Sequence, residues 1–306
     1  MKKWFVVFVI VAFSFKTYAK SGICGESYDA CHYDLTDDGI LTISGNGAMN
    51  DYDSILGDNS MPWGNKIKEV QMSGITSIGS YAFYNTPLLT DVVIPKTVEN
   101  INEGAFAMTS LKDVVYETDE KGRTKLTSIG RDVFAMTNLT NMVIPDSVID
   151  VGRGIFYRDK KLESIVIPDS VTSLGIYALA EASQNAVIYC HDTAQRSCSD
   201  LVSENNGNDI GKLVQYFIDG NGFYQTEDGR IFANADLMAN GVSCDNTKQC
   251  EALLASAQSG TFSFNGKFYN SLGDLAHHNY IKKRIYTIDE ANRVAGSTNR
   301  VSIKYR

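Results

Sequence analysis

Four histidines, six cysteines and an excess of acidic residues are the groups in this chain whose types could do chemistry. The histidines are His32, His191, His277 and His278, and the last two follow Asp274 closely enough to suggest a metal pair. Adjacent residues point to opposite faces of a strand and diverge by about 100° on a helix, so the pair reads as surface loop. No H-E-x-x-H, G-x-S-x-G or phosphate-loop pattern occurs. The stretch DGNGFYQTEDG from Asp219 begins like an EF-hand, but Phe223 occupies its fifth position and Tyr224 the place of the required glycine. NDYDSILGDNS fails similarly, and hairpin turns account for these acids. Asn138-Leu139-Thr140 fits a glycosylation sequon, but it lies in the frame of the repeat and reads as accidental. No catalytic residue, metal or cofactor is expected; Asp274, His277 and Asp289 are the only hints of a hidden enzyme.

The cysteines are spaced as Cys24/Cys31, Cys190/Cys198 and Cys244/Cys250, none with the short C-x2-4-C spacing of zinc sites. Six allow 15 disulfide connectivities, and sequence proximity favours local pairing. Export is the context that makes disulfides expected. Residues 1–19 carry Lys2 and Lys3, an apolar run from Trp4 to Phe15 and small residues at Thr17 and Ala19. That run is shorter than the roughly 20 residues that span a bilayer, so it reads as a cleaved secretory signal, with an uncleaved anchor as the alternative. Cleavage leaves 25 basic against 36 acidic residues, a formal charge of −11. Such a surface disfavours nucleic acid and anionic lipid. No membrane insertion is expected once the signal is removed, and the destination is periplasmic, extracellular or cell-surface.

The elements that must position any site repeat along the chain. VIPDSV occurs at residues 143–148 and again at 166–171. Aligned on an aromatic step, the copies fall at Phe83, Phe106, Phe134, Phe156 and a degenerate Leu179, at intervals of 23, 28, 22 and 23. The long interval holds a charged insertion, Glu117 to Lys125, suited to a surface loop. Alternating Met142, Val143 and Ile144 predict a strand, which Pro145 ends. Gly79, Gly130, Gly152 and Gly175 are expected to permit a tight turn before the aromatic. Six buried apolar side chains at ~2 kcal/mol each do not offset ordering about 23 residues at ~1–2 kcal/mol each. Each coil must therefore stack on its neighbours.

The pattern L-x-x-[VI]-x-[IV]-P-x-[ST]-V-x-x-[IVL]-x-x-x-[AI]-F, at Leu89–Phe106 and Leu139–Phe156, resembles the BspA-like leucine-rich repeats of bacterial surface proteins. The segments CGESYDACHYDLTDDGILTISGNGAMNDYDS and PWGNKIKEV resemble that family's N-terminal region, and the likeness extends from residue 24 to about 210. Thr97, Ser147 and Ser170 stand near the place of the usual asparagine ladder. Thr86, Thr109, Thr137 and Asp159 stand where the family often has cysteine. The resemblance implies an exported or surface-displayed adhesion protein, with no catalytic residues to carry over.

The expected fold is a strand-rich, right-handed α/β leucine-rich repeat solenoid of about five coils of ~23 residues, followed by a small α+β module. The expected divisions are a signal at 1–19, an N-terminal hairpin cap at 20–63, repeats at 64–190, a helical cap at 191–211 and the α+β module at 212–306. The hairpin is placed around Asp37-Asp38-Gly39, and the cap helix has Asp192 as its N-cap. In the module, DG and NG turns predict hairpins, a short helix contains Cys250, and Thr287 with Glu290 start a helix before a terminal strand.

In each long strand the middle residue should point away from the core: Gln71, Val93, Val115, Val143, Val166 and Ile188. An apolar stripe of this kind marks partner binding. The competing explanations are that β-branched residues suit strands, or that the C-terminal module covers the stripe. Glu69, Asp91 and Asp113 form an acidic row beside it, giving way to Asn141 and Ser164, and such a row favours a cationic rim on a partner or is a solvated edge. The favoured function is non-enzymatic recognition of an unidentified protein or glycan ligand; the alternative is a structural spacer that presents the C-terminal module.

Overall fold

The computed structural model describes residues 18–54, 60–206, 212–258, 261–264, 267–269 and 271–277. The apolar run of the signal, His278, Asp289 and the helix and strand expected near the C-terminus lie outside them. A front sheet runs in the order β1 (Tyr18–Ile23), β2 (His32–Thr36), β3 (Ile40–Ser44) and β4 (Glu69–Ser73). The β2–β3 turn contains Gly39 at φ 90°, a conformation that glycine adopts without strain. The pairing β3–β4 is parallel and opens the solenoid.

The first four coils each place one long and one short strand on different sides, and two further coils contribute a long strand alone. The short ones are β5 (Ser77–Ile78), β7 (Asn100–Ile101), β9 (Ser128–Ile129) and β11 (Asp150–Val151), in one parallel sheet. The long ones are β4, β6 (Asp91–Ile94), β8 (Asp113–Tyr116), β10 (Asn141–Val143), β12 (Ser164–Val166) and β13 (Val187–Cys190). The strand-rich leucine-rich solenoid thus has about six turns rather than five. Counting aromatic steps missed the last, whose strand is followed by the cap helix instead of another Phe.

A third side is made by turns. Phe83, Phe106, Phe134 and Phe156 are fully buried and stack at 5.1, 5.9 and 6.2 Å between ring centroids, with Trp63 closing the front end at 6.0 Å. Around them the backbone bonds from coil to coil, as in Phe83 N–H to Ala105 O (2.8 Å) and Phe106 N–H to Val133 O (3.0 Å). Residues two before and two after the aromatic adopt left-handed φ: Gly104 and Met108 in one coil, Asp132 and Met136 in the next. The glycines four before the aromatic do not. A Cβ on Gly152 would lie 2.5 Å from Arg131 N, and one on Gly175 2.1 Å from Arg153 N. They allow close approach between coils rather than a tight turn.

Hydroxyls replace the asparagine ladder: Thr97 Oγ1 donates to Ile75 O and Ser147 Oγ to Leu126 O, both at 2.7 Å. Thr86 and Thr109 turn their hydroxyls onto Phe83 O and Phe106 O. At the far end α1 (Cys198–Asn206) covers the last coil, and Ser197 stands before it, its carbonyl accepting from Leu201 N–H. Asp192, expected as the N-cap, instead reaches the Cys198 N–H across five residues at 2.7 Å. The disulfides are Cys24–Cys31, Cys190–Cys198 and Cys244–Cys250.

The sheet of long strands continues past residue 212. Strand β14 (Lys212–Ile218) pairs in parallel with β13, and β15 (Tyr224–Thr226) and β16 (Ile231–Phe232) extend the sheet antiparallel. Then come α2 (Ala235–Ala239), α3 (Thr247–Gln258), the hairpin β17 (Phe262–Phe264) and β18 (Lys267–Tyr269), and α4 (Leu272–His277). These enclose a second core around Leu237, Cys250 and Leu253.

Candidate protein interface

Core-facing and outward residues alternate along each long strand, so the registers define one outward row. Asp34, Thr42 and Gln71 are in register across β2, β3 and β4; Val93 is opposite Val115; Val143, Val166, Tyr189 and Val214 follow one another. The structure therefore corrects one expected member. Ile188 is opposite core-facing Ile165, is 1% exposed and packs in the main core; Tyr189 takes the outward place. Aligning AVIYC on its isoleucine with SIVIP would have found this. Tyr189 and Val214 belong to the row although the repeat pattern did not single them out.

The row has two halves in different environments. Gln71, Val93, Val115 and Val143 are part-exposed, with Val143 at the edge of the covered half. Val166 is 2% exposed and Tyr189 4%, because they form a separate apolar cluster with Val214, Tyr216, Phe232, Met238 and Ala239, against which Val143 also packs. The C-terminal segment covers this half. Its helix α2 lies on β10 and β12: Ser164 Oγ donates to Ala239 O at 2.6 Å, and the side-chain amides of Asn141 and Asn240 meet at 3.1 Å. Burial beneath the cover raises the Tyr216 phenol far above its ordinary value and pushes Tyr224 up to about 12. The Tyr216 hydroxyl donates to Ile167 O at 3.2 Å, and Asn234 caps α2 through Leu237 N–H at 2.8 Å.

Beside the open half, Glu69 accepts from the Gln71 amide at 2.6 Å and Asp91 from the Thr90 hydroxyl at 2.7 Å, while Asp113 is 8% exposed. The acidic row is thus graded in burial rather than uniformly solvated. Elsewhere, Asp219 uses its carboxylate within a hairpin turn, accepting from Asn221 and Phe223 N–H and from the Gln225 amide. Among the described residues no group of three or more His, Cys, Asp or Glu is placed to hold a metal ion. Nor is any helix there long and apolar enough to cross a membrane. The side chains of Asp274 and His277 lie outside the described residues.

The coil geometry agrees with what similarity to known proteins shows. Residues 55–124 and 76–197 match the BspA type leucine-rich repeat region, in six copies. Residues 55–197 belong to the BspA-type leucine-rich repeat family. No curated protein matches the chain. Among solved structures, a leucine-rich repeat protein from Eubacterium ventriosum is 28% identical over 68% of this chain and 49% of its own, with a TM-score of 0.47. The pneumococcal vaccine antigen PcpA is 18% identical over 68% and 53%, with a TM-score of 0.38. A leucine-rich cell surface protein from Faecalibacterium prausnitzii is 20% identical over 69% and 61%, with a TM-score of 0.35. The chain spans about half the length of the first two. The BspA-type repeats supply the six-turn scaffold on which the half-covered row stands.

Proposed function

We propose that the chain is a non-enzymatic, exported recognition protein, and that a partner engages the uncovered half of the strand face around Gln71, Val93 and Val115. One observation carries this: the covered half already holds an apolar partner, supplied by the chain itself. Val166, Tyr189 and Val214 are packed under Phe232 and Met238. Val93 and Val115 present β-branched side chains in the same row and remain part-exposed. A partly exposed apolar row with a polar rim is the form a docking surface takes. Val143 and Val166, expected as partner contacts, are assigned to the internal interface instead. The signal-like residues 1–19 and three disulfides support export to an oxidising compartment.

The alternative, a structural spacer that presents the module from residue 212, is favoured by the direct pairing of β13 with β14. Photo-crosslinkers at position 115 and at position 149, where Ile149 is 61% exposed, separate the two. With extracts of the native surroundings, recognition through the strand face predicts discrete adducts from position 115 and none from 149. Equal labelling from both, or none from either, would remove position 115 as a contact.

A further inference from the structure

The strand face is segmented where the other two sides are continuous. The short strands β5, β7, β9 and β11 pair in one unbroken sheet, and the Phe ladder is bonded from coil to coil. The long strands instead fall into three blocks: β4 in the front sheet, β6 with β8, and β10 with the strands after it. At a closed junction such as β10–β12, Glu163 N–H donates to Thr140 O at 2.7 Å and Ile144 N–H to Val166 O at 3.1 Å. Between β8 and β10 the backbone bond on this side is Asn138 N–H to Leu111 O at 2.9 Å, ahead of both strands. The inward side chains report the same break. Val92, Ile94, Met142 and Ile144 are buried, whereas Val114 and Tyr116, which pack on the core from β8, are part-exposed. The insertion that lengthens this coil explains it. It leaves at Glu117, whose N–H bonds back to Ile94 O at 2.9 Å, and closes on itself where Asp119 accepts from Lys121 and Arg123 N–H. Nothing in that path draws the end of β8 onto β10.

We propose that β6 and β8 form an adjustable segment of the strand face, hinged on the continuous short-strand sheet, and that the β8–β10 seam opens and closes. Each junction of a solenoid has its own stability, so the one without a ladder opens first. Closure pairs the β8 backbone with β10 and buries Val114 and Tyr116; opening parts Val115 from Val143 in the outward row. A partner on Val93 and Val115 would then select one curvature of the face. That last step rests on the strand face being a partner surface; the seam itself does not.

The test is a disulfide across the seam in the chain without residues 1–19, by Val115→Cys with Val143→Cys. Val93→Cys with Val115→Cys, across the paired β6–β8 junction, is the comparison. Opposite residues of adjacent paired strands are about 4.8 Å apart, within the reach of a disulfide. Under mild oxidant, thiol titration should show both bridges forming, the seam pair more slowly by roughly tenfold or more. Once bridged, the amides of residues 112–116 and 141–143 should exchange more slowly by roughly tenfold or more, read by mass spectrometry, while those of the short strands stay as they were. No bridge across the seam would make the gap fixed and overturn the proposal. Equal rates for the two pairs would mean that no seam exists, and a bridge without added protection that closure forms no ladder; either overturns it. Unchanged unfolding temperatures of the reduced variants are the control for folding. Failure here would leave the strand face as a partner surface, which crosslinking from position 115 decides separately.

Discussion

Asp159 occupies the position that three preceding coils fill with Thr86, Thr109 and Thr137. It is fully buried, and its Oδ1 accepts from the Thr137 N–H and hydroxyl, while Oδ2 has no partner. Burial raises its carboxyl to about 8, against the opposing pull of the Thr137 bonds. The folded pKa lies above the unfolded one, so this group's contribution to stability is greatest below about pH 4 and declines as pH rises to about 8. The slope is up to roughly 1.4 kcal/mol per pH unit. Asp159→Asn should remove that decline: denaturant titrations at pH 5 and pH 8 should differ less in the variant, which should be the more stable protein at pH 8. A decline of equal size in both would assign it to other groups. That a carboxylate replaces threonine was visible in the sequence, but its burial was not, since depth depends on the coils above and below.

At the scale of elements, the Phe ladder and the close glycine contacts hold one coil to the next. Phe106 stacks between Phe83 and Phe134. Phe106→Ala should cost about 3–5 kcal/mol by urea unfolding, from lost transfer energy plus the cavity. Gly152→Ala should also destabilise, although alanine is small, because its Cβ would meet the backbone of the preceding coil at 2.5 Å. A neutral result would mean that the coils can separate slightly. The repeat spacing, strand positions and outward centres from 71 to 166 were legible because the alternation of two residue classes is local. Ile188 was misplaced because its register is set by β12, one coil earlier, and taking the middle of AVIYC ignored the alignment with SIVIP that shows it. The function of the glycines was obscured for a similar reason: their neighbours are one coil away, about 23 positions earlier.

For the molecule as a whole, the decisive feature is that the chain covers half of its own strand face. The sequence allowed both an open stripe and a stripe covered by the module; the structure has each in one half. The local difference between Val143 and Val166 and their counterparts Val93 and Val115 is the residue two before each, Asn141 and Ser164 in place of Asp91 and Asp113; the cover itself comes from far downstream, near Met238. The two halves should respond differently to one substitution. Val166→Asp places a charge under Tyr216 and Met238 and should cost several kcal/mol. Val93→Asp should stay within about 1 kcal/mol in the same thermal unfolding experiment. Thiol labelling gives the most direct test, because all six native cysteines are bridged and an introduced cysteine is the single free thiol. With cysteine placed in turn at 93, 115 and 166, the half-covered face predicts prompt labelling at 93 and 115 and protection at 166 until the protein unfolds. Equal labelling at all three positions would contradict it.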